Sequence, residues 1–262
     1  MTLTDDNYYG RQANMEYMSV SQFKSFRKCE EAALAELAGD YERDGSAALL
    51  SGSYLDSRFE GDESFAKFKE RSPQLFKRDG TLKSDYAHVE EIYQRLLKDK
   101  FFCKYLSGGK QVIMTGKIEA VPFKIKMDSY IPDKAIVDLK LMRDFLPVWD
   151  EEQHRKVPFI EAWGYDIQGA VYQEIVYQNT GKRLPFIIAA TTKETHPDHA
   201  LLFVPQERLD DCLTFVKALA PRYQRLKAGA LEGAHRCEKC GWCRDTKHVT
   251  EIIDYRDYGK EI

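Results

Sequence analysis

Apolar residues recur at helical spacing through roughly the first hundred positions of this chain, then switch to alternation between Gln111 and Leu141. Phe23, Phe26, Ala33, Leu34 and Leu37 mark an amphipathic helix that Ser21 can cap and Gly39 ends. A second helix is expected over 47–59 and a short charged one over 62–71, ahead of the Ser72-Pro73 break. Ser84 caps a long helix that buries Val89, Ile92, Leu96 and Leu97 and is extended by Phe101, Phe102 and Tyr105. Alternation then predicts a meander of three strands over 111–120, 122–131 and 135–141. A loop with Pro147 and Pro158 leads to a helix over 162–178, strands over 184–192 and 199–204, and a last long helix over 207–227. The pattern is α/β, with a helical beginning.

Within the strand over 135–141, Asp138 and Lys140 point one way and Val137, Leu139 and Leu141 the other, because side chains alternate. The preceding strand puts Phe123, Ile125 and Met127 on its apolar face and Lys124, Lys126 and Asp128 on the opposite one. If Ile131-Pro132-Asp133-Lys134 closes an antiparallel hairpin, Asp128 lies across from Asp138. Two carboxylates and an amine then converge. Metal-assisted hydrolysis of a phosphodiester needs such a cluster: carboxylates hold a hard cation, the cation binds phosphate and acidifies a water, and the lysine orients that water. A surface strand with a cross-strand salt bridge would carry the same residues, so the surroundings must decide. Glu119 is a further acid nearby, read as turn-facing.

Upstream, Leu50-Ser51-Gly52-Ser53-Tyr54-Leu55-Asp56 sets Gly52 four residues before Asp56. Downstream, Gln168 and Tyr172 stand four apart and share a helical face. In this order around Asp128, Asp138 and Lys140, the motifs resemble the PD-(D/E)xK nuclease superfamily, specifically its RecE/RecB-like exonuclease branch (phage-type, exodeoxyribonuclease VIII-like). The resemblance spans about Ser19 to Lys247. It implies a restriction-endonuclease-like fold: a central mixed sheet flanked by helices, an N-terminal helical extension and a C-terminal cysteine knuckle. The periodicity independently gives that fold's core order of helix, three antiparallel strands, helix and strand. The family's first motif ends on a metal-binding His where this chain has Asp56, an oxygen ligand that makes the site harder and more magnesium-like.

The resemblance implies Asp56, Asp128 and Asp138 as ligands of Mg²⁺ or Mn²⁺, with the carbonyl of Leu139 as a further oxygen. It implies Lys140 as the residue that positions the attacking water, and Gln168 and Tyr172 as groups that hold DNA or brace Lys140. The expected activity is a divalent-metal-dependent DNA exonuclease acting on linear ends in recombination or repair, of phage derivation. A structure-specific or single-strand endonuclease on the same fold, and a non-catalytic DNA-binding scaffold, are the alternatives. The resemblance also implies a single-strand annealing protein as partner and toroidal homo-oligomers.

Three of the six cysteines form Cys237-Glu238-Lys239-Cys240-Gly241-Trp242-Cys243. A double C-x-x-C wraps sulfurs round zinc or an iron–sulfur cluster. The family pattern supplies the distant Cys29 as fourth ligand, for a [4Fe-4S] cluster or zinc; the last gap is shorter than in AddB-type nucleases, and His235 is close enough to compete. Such a centre would staple the chain ends together. Cys103 and Cys212 are isolated and read as packed thiols. Trp149, Trp163 and Trp242 are scattered and assigned to packing, and His196 and His199 flank a turn.

At 262 residues the chain suits one domain, read as a mainly helical part (1–108), a catalytic core (109–229) and a Cys-rich segment (230–262). The net charge of −3 confines any DNA-binding surface to a local patch. One candidate is the tail from Arg222 to Lys247, with seven Lys/Arg against three acids. The polar start and the lack of a long apolar run predict a cytoplasmic protein, where thiols stay reduced or metal-bound.

Overall fold

The computed structural model describes residues 1–42, 47–151 and 153–256. Its first part is helical: α1 (Arg11–Glu16), α2 (Val20–Lys28), α3 (Glu30–Ala38), α4 (Ala47–Glu60), α5 (Asp62–Arg71), a 3₁₀ turn at Pro73–Leu75, α6 (Ser84–Leu96) and α7 (Lys100–Tyr105). Strands β1 (Val112–Ile118), β2 (Val121–Met127), β3 (Ser129–Ile131), β4 (Ala135–Met142), β5 (Val148–Asp150) and β6 (Arg155–Val157) follow. The chain then runs through α8 (Phe159–Ala162), α9 (Tyr165–Thr180), β7 (Phe186–Thr192), β8 (His199–Phe203), α10 (Gln206–Lys227) and α11 (Gly241–Asp245).

The helix expected from Ser21 to Gly39 is two helices. Cys29 is extended (φ −163°, ψ 112°), and the cap of the first is Ser19, whose side chain accepts from the Gln22 N–H. The break follows the charges: Arg27 and Lys28 suit the end of one helix dipole, Glu30 and Glu31 the start of the next. The long helix from Ser84 likewise stops short. Leu97 is exposed rather than buried, and the Asp99 carboxylate caps α7 by accepting from the N–H groups of Phe101 and Phe102 at 2.9 and 3.0 Å.

The expected meander divides at Asp128. β1 and β2 pair antiparallel round a tight turn in which Glu119 and Ala120 both have positive φ (47° and 64°), which leaves Glu119 exposed and remote from the predicted acidic cluster. The other sheet has the order β3-β4-β7-β8, with β4 and β7 parallel and the outer pairs antiparallel, hence mixed. β5 and β6 form a separate hairpin.

Alternation along β4 sorts two apolar layers. Ile136 joins Phe186, Ile188, Ala190, Val171 and Ile175 beneath α9 and α10, while Val137 and Leu139 pack with Leu55, Val89 and Ile92 of α4 and α6. Asp138 shares the side of Ile136, so its carboxylate is directed towards α9. Gly169 allows that helix to lie close: a Cβ there would stand 2.5 Å from Phe186 Cδ1. Trp149 and Trp163 are about half exposed, contrary to a packing role, whereas Trp242 lies against Tyr41. Among the described residues no helix is long and apolar enough to cross a membrane.

Candidate active site

The β3–β4 ladder pairs Ser129 with Val137 and stops there, so the next positions, Asp128 and Asp138, face one another as the sequence suggested. With the ladder ended, the Leu139 N–H on that edge needs another partner. Asp128 Oδ2 accepts it at 2.9 Å. On the other side of the pair, Asp138 is 2 % exposed; its Oδ1 accepts from Gln168 Nε2 at 2.6 Å, and its Oδ2 meets Lys140 Nζ in an ion pair. Lys140 Nζ also donates to the Leu139 carbonyl at 3.3 Å and lies 5.2 Å from the centre of the Tyr165 ring.

Asp56 comes from α4, across the sheet's other face. Together with Glu60, one turn later, it lines a cavity of about 10 Å³ that Asp128, Leu139 and Lys110 close. About one water or bare ion fits such a space. The carboxyls are therefore mutually repelling and poorly hydrated. Burial, and then the neighbouring Asp138, push the Asp128 carboxyl up to about 7, and burial with Asp128 pushes Asp56 well above the usual carboxylate range. Burial alone would lower Lys140; the carboxylates of Asp138, Asp128 and Asp56 outweigh it and hold the ammonium charged.

Gln168 and Tyr172 are each 8 % exposed. Their hydrogen bonds go elsewhere than to Lys140: Gln168 orients Asp138, and the Tyr172 hydroxyl donates to the Lys126 carbonyl at 2.9 Å, tying α9 to β2. Both line the inner wall of a wider cavity of about 350 Å³ beside the site, which Lys24, Lys126, Ser19 and Tyr9 also reach. Sequence reasoning missed Glu60, Lys24 and Tyr165. The spacing from Asp56 to Glu60 was visible as a helical i, i+4 pair, but nothing in the chain indicated that Lys24 of α2 would donate to the Trp163 carbonyl at 3.1 Å and sit near Lys140. Burial first, and then Lys140, lower Lys24 to about 8. The Lys124 expected beside Asp128 is instead buried by the N-terminal segment, with its ammonium on Tyr8 O and Asn14 Oδ1.

A family model described as "PDDEXK-like domain of unknown function (DUF3799)" matches residues 19–246. The chain belongs to this family. A crystal structure of a protein from Eubacterium rectale, named "Putative exonuclease", superposes with a TM-score of 0.94 at 45 % identity over 100 % of both chains. No curated protein matches. The fold is restriction-endonuclease-like and the chain is a PD-(D/E)xK nuclease.

The nuclease has a second cluster. The sulfurs of Cys29, Cys237, Cys240 and Cys243 all lie within 4.8 Å of one another, with Cys29 and Cys243 at 3.5 Å and Cys237 and Cys243 at 3.9 Å. Four thiolates round one zinc, with bonds of about 2.3 Å, stand about 3.8 Å apart, so the spacing fits a single tetrahedral ion. The break at Cys29 is what turns that thiol towards the C-terminal knuckle. His235, expected as a competing ligand, contributes its backbone: its N–H donates to Glu30 and its carbonyl accepts from Cys29 Sγ. Burial raises Cys243 to about 12; Cys237 is lowered to about 7, where burial is outweighed by the N–H groups of Lys239 and Cys240 that donate to it.

Ion pairs flank the staple. Arg222 grips Glu30 with two bonds of 2.7 Å, and Arg236 reaches Glu31 and Glu238. Lys227 is buried on Tyr17 O and Gln22 Oε1. Of the seven basic residues of the tail expected to follow DNA, Arg222, Lys227 and Arg236 are thus engaged within the protein, while Arg225, Lys239, Arg244 and Lys247 stay exposed. Cys103 and Cys212 are outside the cluster, and burial raises both thiols.

Proposed function

We propose that this nuclease is a divalent-metal-dependent DNA exonuclease that acts in the cytoplasm on linear DNA ends during recombination or repair. The observation that carries the reading is the meeting of Asp128, Asp138 and Lys140 across the end of one strand ladder, with Asp56 brought in by α4. The residues fit a hard cation on their own chemistry. Asp138 Oδ2 is buried without a hydrogen-bond donor in good geometry, and the raised Asp56 and Asp128 carboxyls need an adjacent positive charge to ionise together. Mg²⁺ or Mn²⁺ held by Asp56, Asp128, Asp138 and the Leu139 carbonyl would polarise the scissile phosphate and acidify a water.

The side chains do the positioning. Asp128, fixed by the Leu139 N–H, and Asp138, fixed by Gln168, present their remaining oxygens without rotamer freedom. Lys140, kept protonated by three carboxylates, orients a water and steadies charge developing on the phosphate oxygens. Preference for DNA ends is supported by the activity named for the Eubacterium rectale relative. The four cysteines are proposed to hold a structural metal; the sulfur spacing favours zinc over the iron–sulfur cluster of related nucleases.

Digestion of end-labelled linear duplex, with a covalently closed circle in parallel and with Mg²⁺ or EDTA, tests this reading. Linear DNA should be lost only with the cation and the circle should persist. Nicking of the circle at the same rate would replace the exonuclease by an endonuclease on the same fold.

A further inference from the structure

Two ammonium groups meet at one ring: Lys140 Nζ lies 5.2 Å from the centre of Tyr165, and Lys24 Nζ, carried by α2, lies 5.5 Å from it. Lys140 is balanced by three carboxylates. Lys24 is not. Its ammonium donates to the Trp163 carbonyl at 3.1 Å, and among the described residues no carboxylate pairs with it. Asp138 and Asp166 act on it only from a distance, against burial and the charge of Lys140. Its stem is held as well. Gly164, at φ 63°, lets the stem lie against the turn before α9, where a Cβ would stand 3.0 Å from Lys24 Cδ. The fold therefore keeps a cation beside Lys140 in spite of their repulsion.

What Lys24 faces is open space. It lines the cavity of about 350 Å³ whose inner wall carries Gln168 and Tyr172, rather than the small cavity formed by Asp56, Glu60 and Asp128. Three lysines, Lys24, Lys124 and Lys126, and one acid, Glu36, are among the described residues round this larger space. Lys124 is 1 % exposed, and its ammonium rests on neutral acceptors, the Tyr8 carbonyl and Asn14 Oδ1. Lys126 is paired at 3.1 Å with Asp5, whose side chain is exposed. Ser19, Ser21 and Ser25 add hydroxyls to the wall. A cavity of this size, at the lower end of those that hold small ligands, has room for about one nucleotide, and its cations and hydroxyls suit a phosphate.

We propose that this cavity is a phosphate subsite for the DNA strand, in which Lys24 binds the phosphodiester adjoining the one cleaved at Asp128, Asp138 and Lys140. The proposal rests on the nuclease reading and adds a contact that fixes which linkage enters the metal site. The scissile phosphate belongs to the small cavity, so the phosphate met by Lys24 is its neighbour along the strand. Tyr165 holds the two ammoniums at a set spacing, and an anion at Lys24 offsets the repulsion between them.

The test is binding, in EDTA, of short linear duplexes in which one neutral methylphosphonate linkage is stepped along either strand, so that affinity is read without cleavage. With the parent protein the substitution should weaken binding about tenfold at the linkage that Lys24 contacts. Lys24→Ala should weaken binding of unmodified duplex by a similar factor, lower the slope of affinity against salt by about one phosphate contact, and lose the methylphosphonate penalty at that linkage alone. Lys24→Arg should keep most of the affinity. Lys24→Met retains the stem against Gly164 and should behave as Lys24→Ala does, with melting midpoints confirming that the fold is kept. Were Lys24 only a support for the Trp163 carbonyl, every linkage would keep its penalty in the variants, and that result overturns the subsite; so does failure of the parent protein to bind. Digestion of unmodified duplex by the parent protein with Mg²⁺ locates the cleaved linkage, and a Lys24-dependent linkage that is not its neighbour also overturns the assignment. Digestion with equal penalties in parent and variant removes the subsite alone, and a Lys24-dependent linkage without digestion removes the catalytic reading alone.

Discussion

Asp128 Oδ2 accepts a hydrogen bond of 2.9 Å from the Leu139 N–H, one position past the last rung of the β3–β4 ladder. A side chain there completes the strand edge, and in doing so faces Asp138 from the opposite chain segment. The price of a finished strand edge is a pair of carboxylates close enough to repel. Lys140 offsets that repulsion, and the arrangement is ready for a cation.

Replacing Lys140 by Ala should reduce cleavage of linear duplex by about a thousandfold or more, since it removes both the group proposed to orient water and the charge that balances three carboxylates. Far-ultraviolet circular dichroism should show the fold retained. Near-normal digestion by this variant would falsify the assignment.

The acidic site should make metal-free stability fall as pH rises. Asp128 has a folded-state value of about 7 against an ordinary carboxyl near 3.8, so between these values the folded state binds more protons than the unfolded one. Stabilisation by the held proton is complete below the ordinary value and gone above about 7. Melting in EDTA should therefore drop across this window, and the rise in midpoint on adding Mg²⁺ should be larger at the alkaline end. An Mg²⁺ shift that is the same at both ends would contradict it.

Gln168→Ala should cost about 1.5–3 kcal/mol, the usual worth of a buried hydrogen bond to a charged group, read by urea unfolding in EDTA. Cleavage should fall as well, because Asp138 would lose the group that fixes its orientation. Gln168→Glu should be worse, as it sets a like charge against a carboxylate that is 2 % exposed.

Gly169→Ala separates packing from chemistry. The added Cβ would meet Phe186 and Leu209 at 2.5–2.9 Å, so α9 must move off the sheet at a cost of about 1–3 kcal/mol. Gln168 travels with that helix, and cleavage should decline although no charged group has changed. A melting midpoint equal to that of the parent protein would show that the contact relaxes freely.

If the four cysteines hold the proposed structural metal, Cys240→Ser should release it and lower the melting midpoint, since the cluster joins the α2–α3 break to the C-terminal knuckle. Elemental analysis of anaerobically purified protein should give about one zinc per chain. Several irons with visible absorption would instead assign an iron–sulfur cluster.

The alternating run around Asp138 determined β4, its two faces and the register that brings Asp128 opposite, because period-two alternation and a short closing turn are local properties. Motif order likewise marked Asp56, Gln168 and the four cysteines. Only the tertiary structure decided what those residues touch. Gln168 serves Asp138 instead of Lys140, Arg222 and Arg236 of the basic tail turn to Glu30 and Glu31, and Lys24 arrives beside Lys140 from 116 positions earlier. Helix breaks at Cys29 and at Leu97–Asp99 were also hidden, since apolar spacing continues across them and charge placement and capping end the helices. Local pattern sets which face a side chain takes; its partner depends on how separate elements pack, and spacing along one chain carries no record of that.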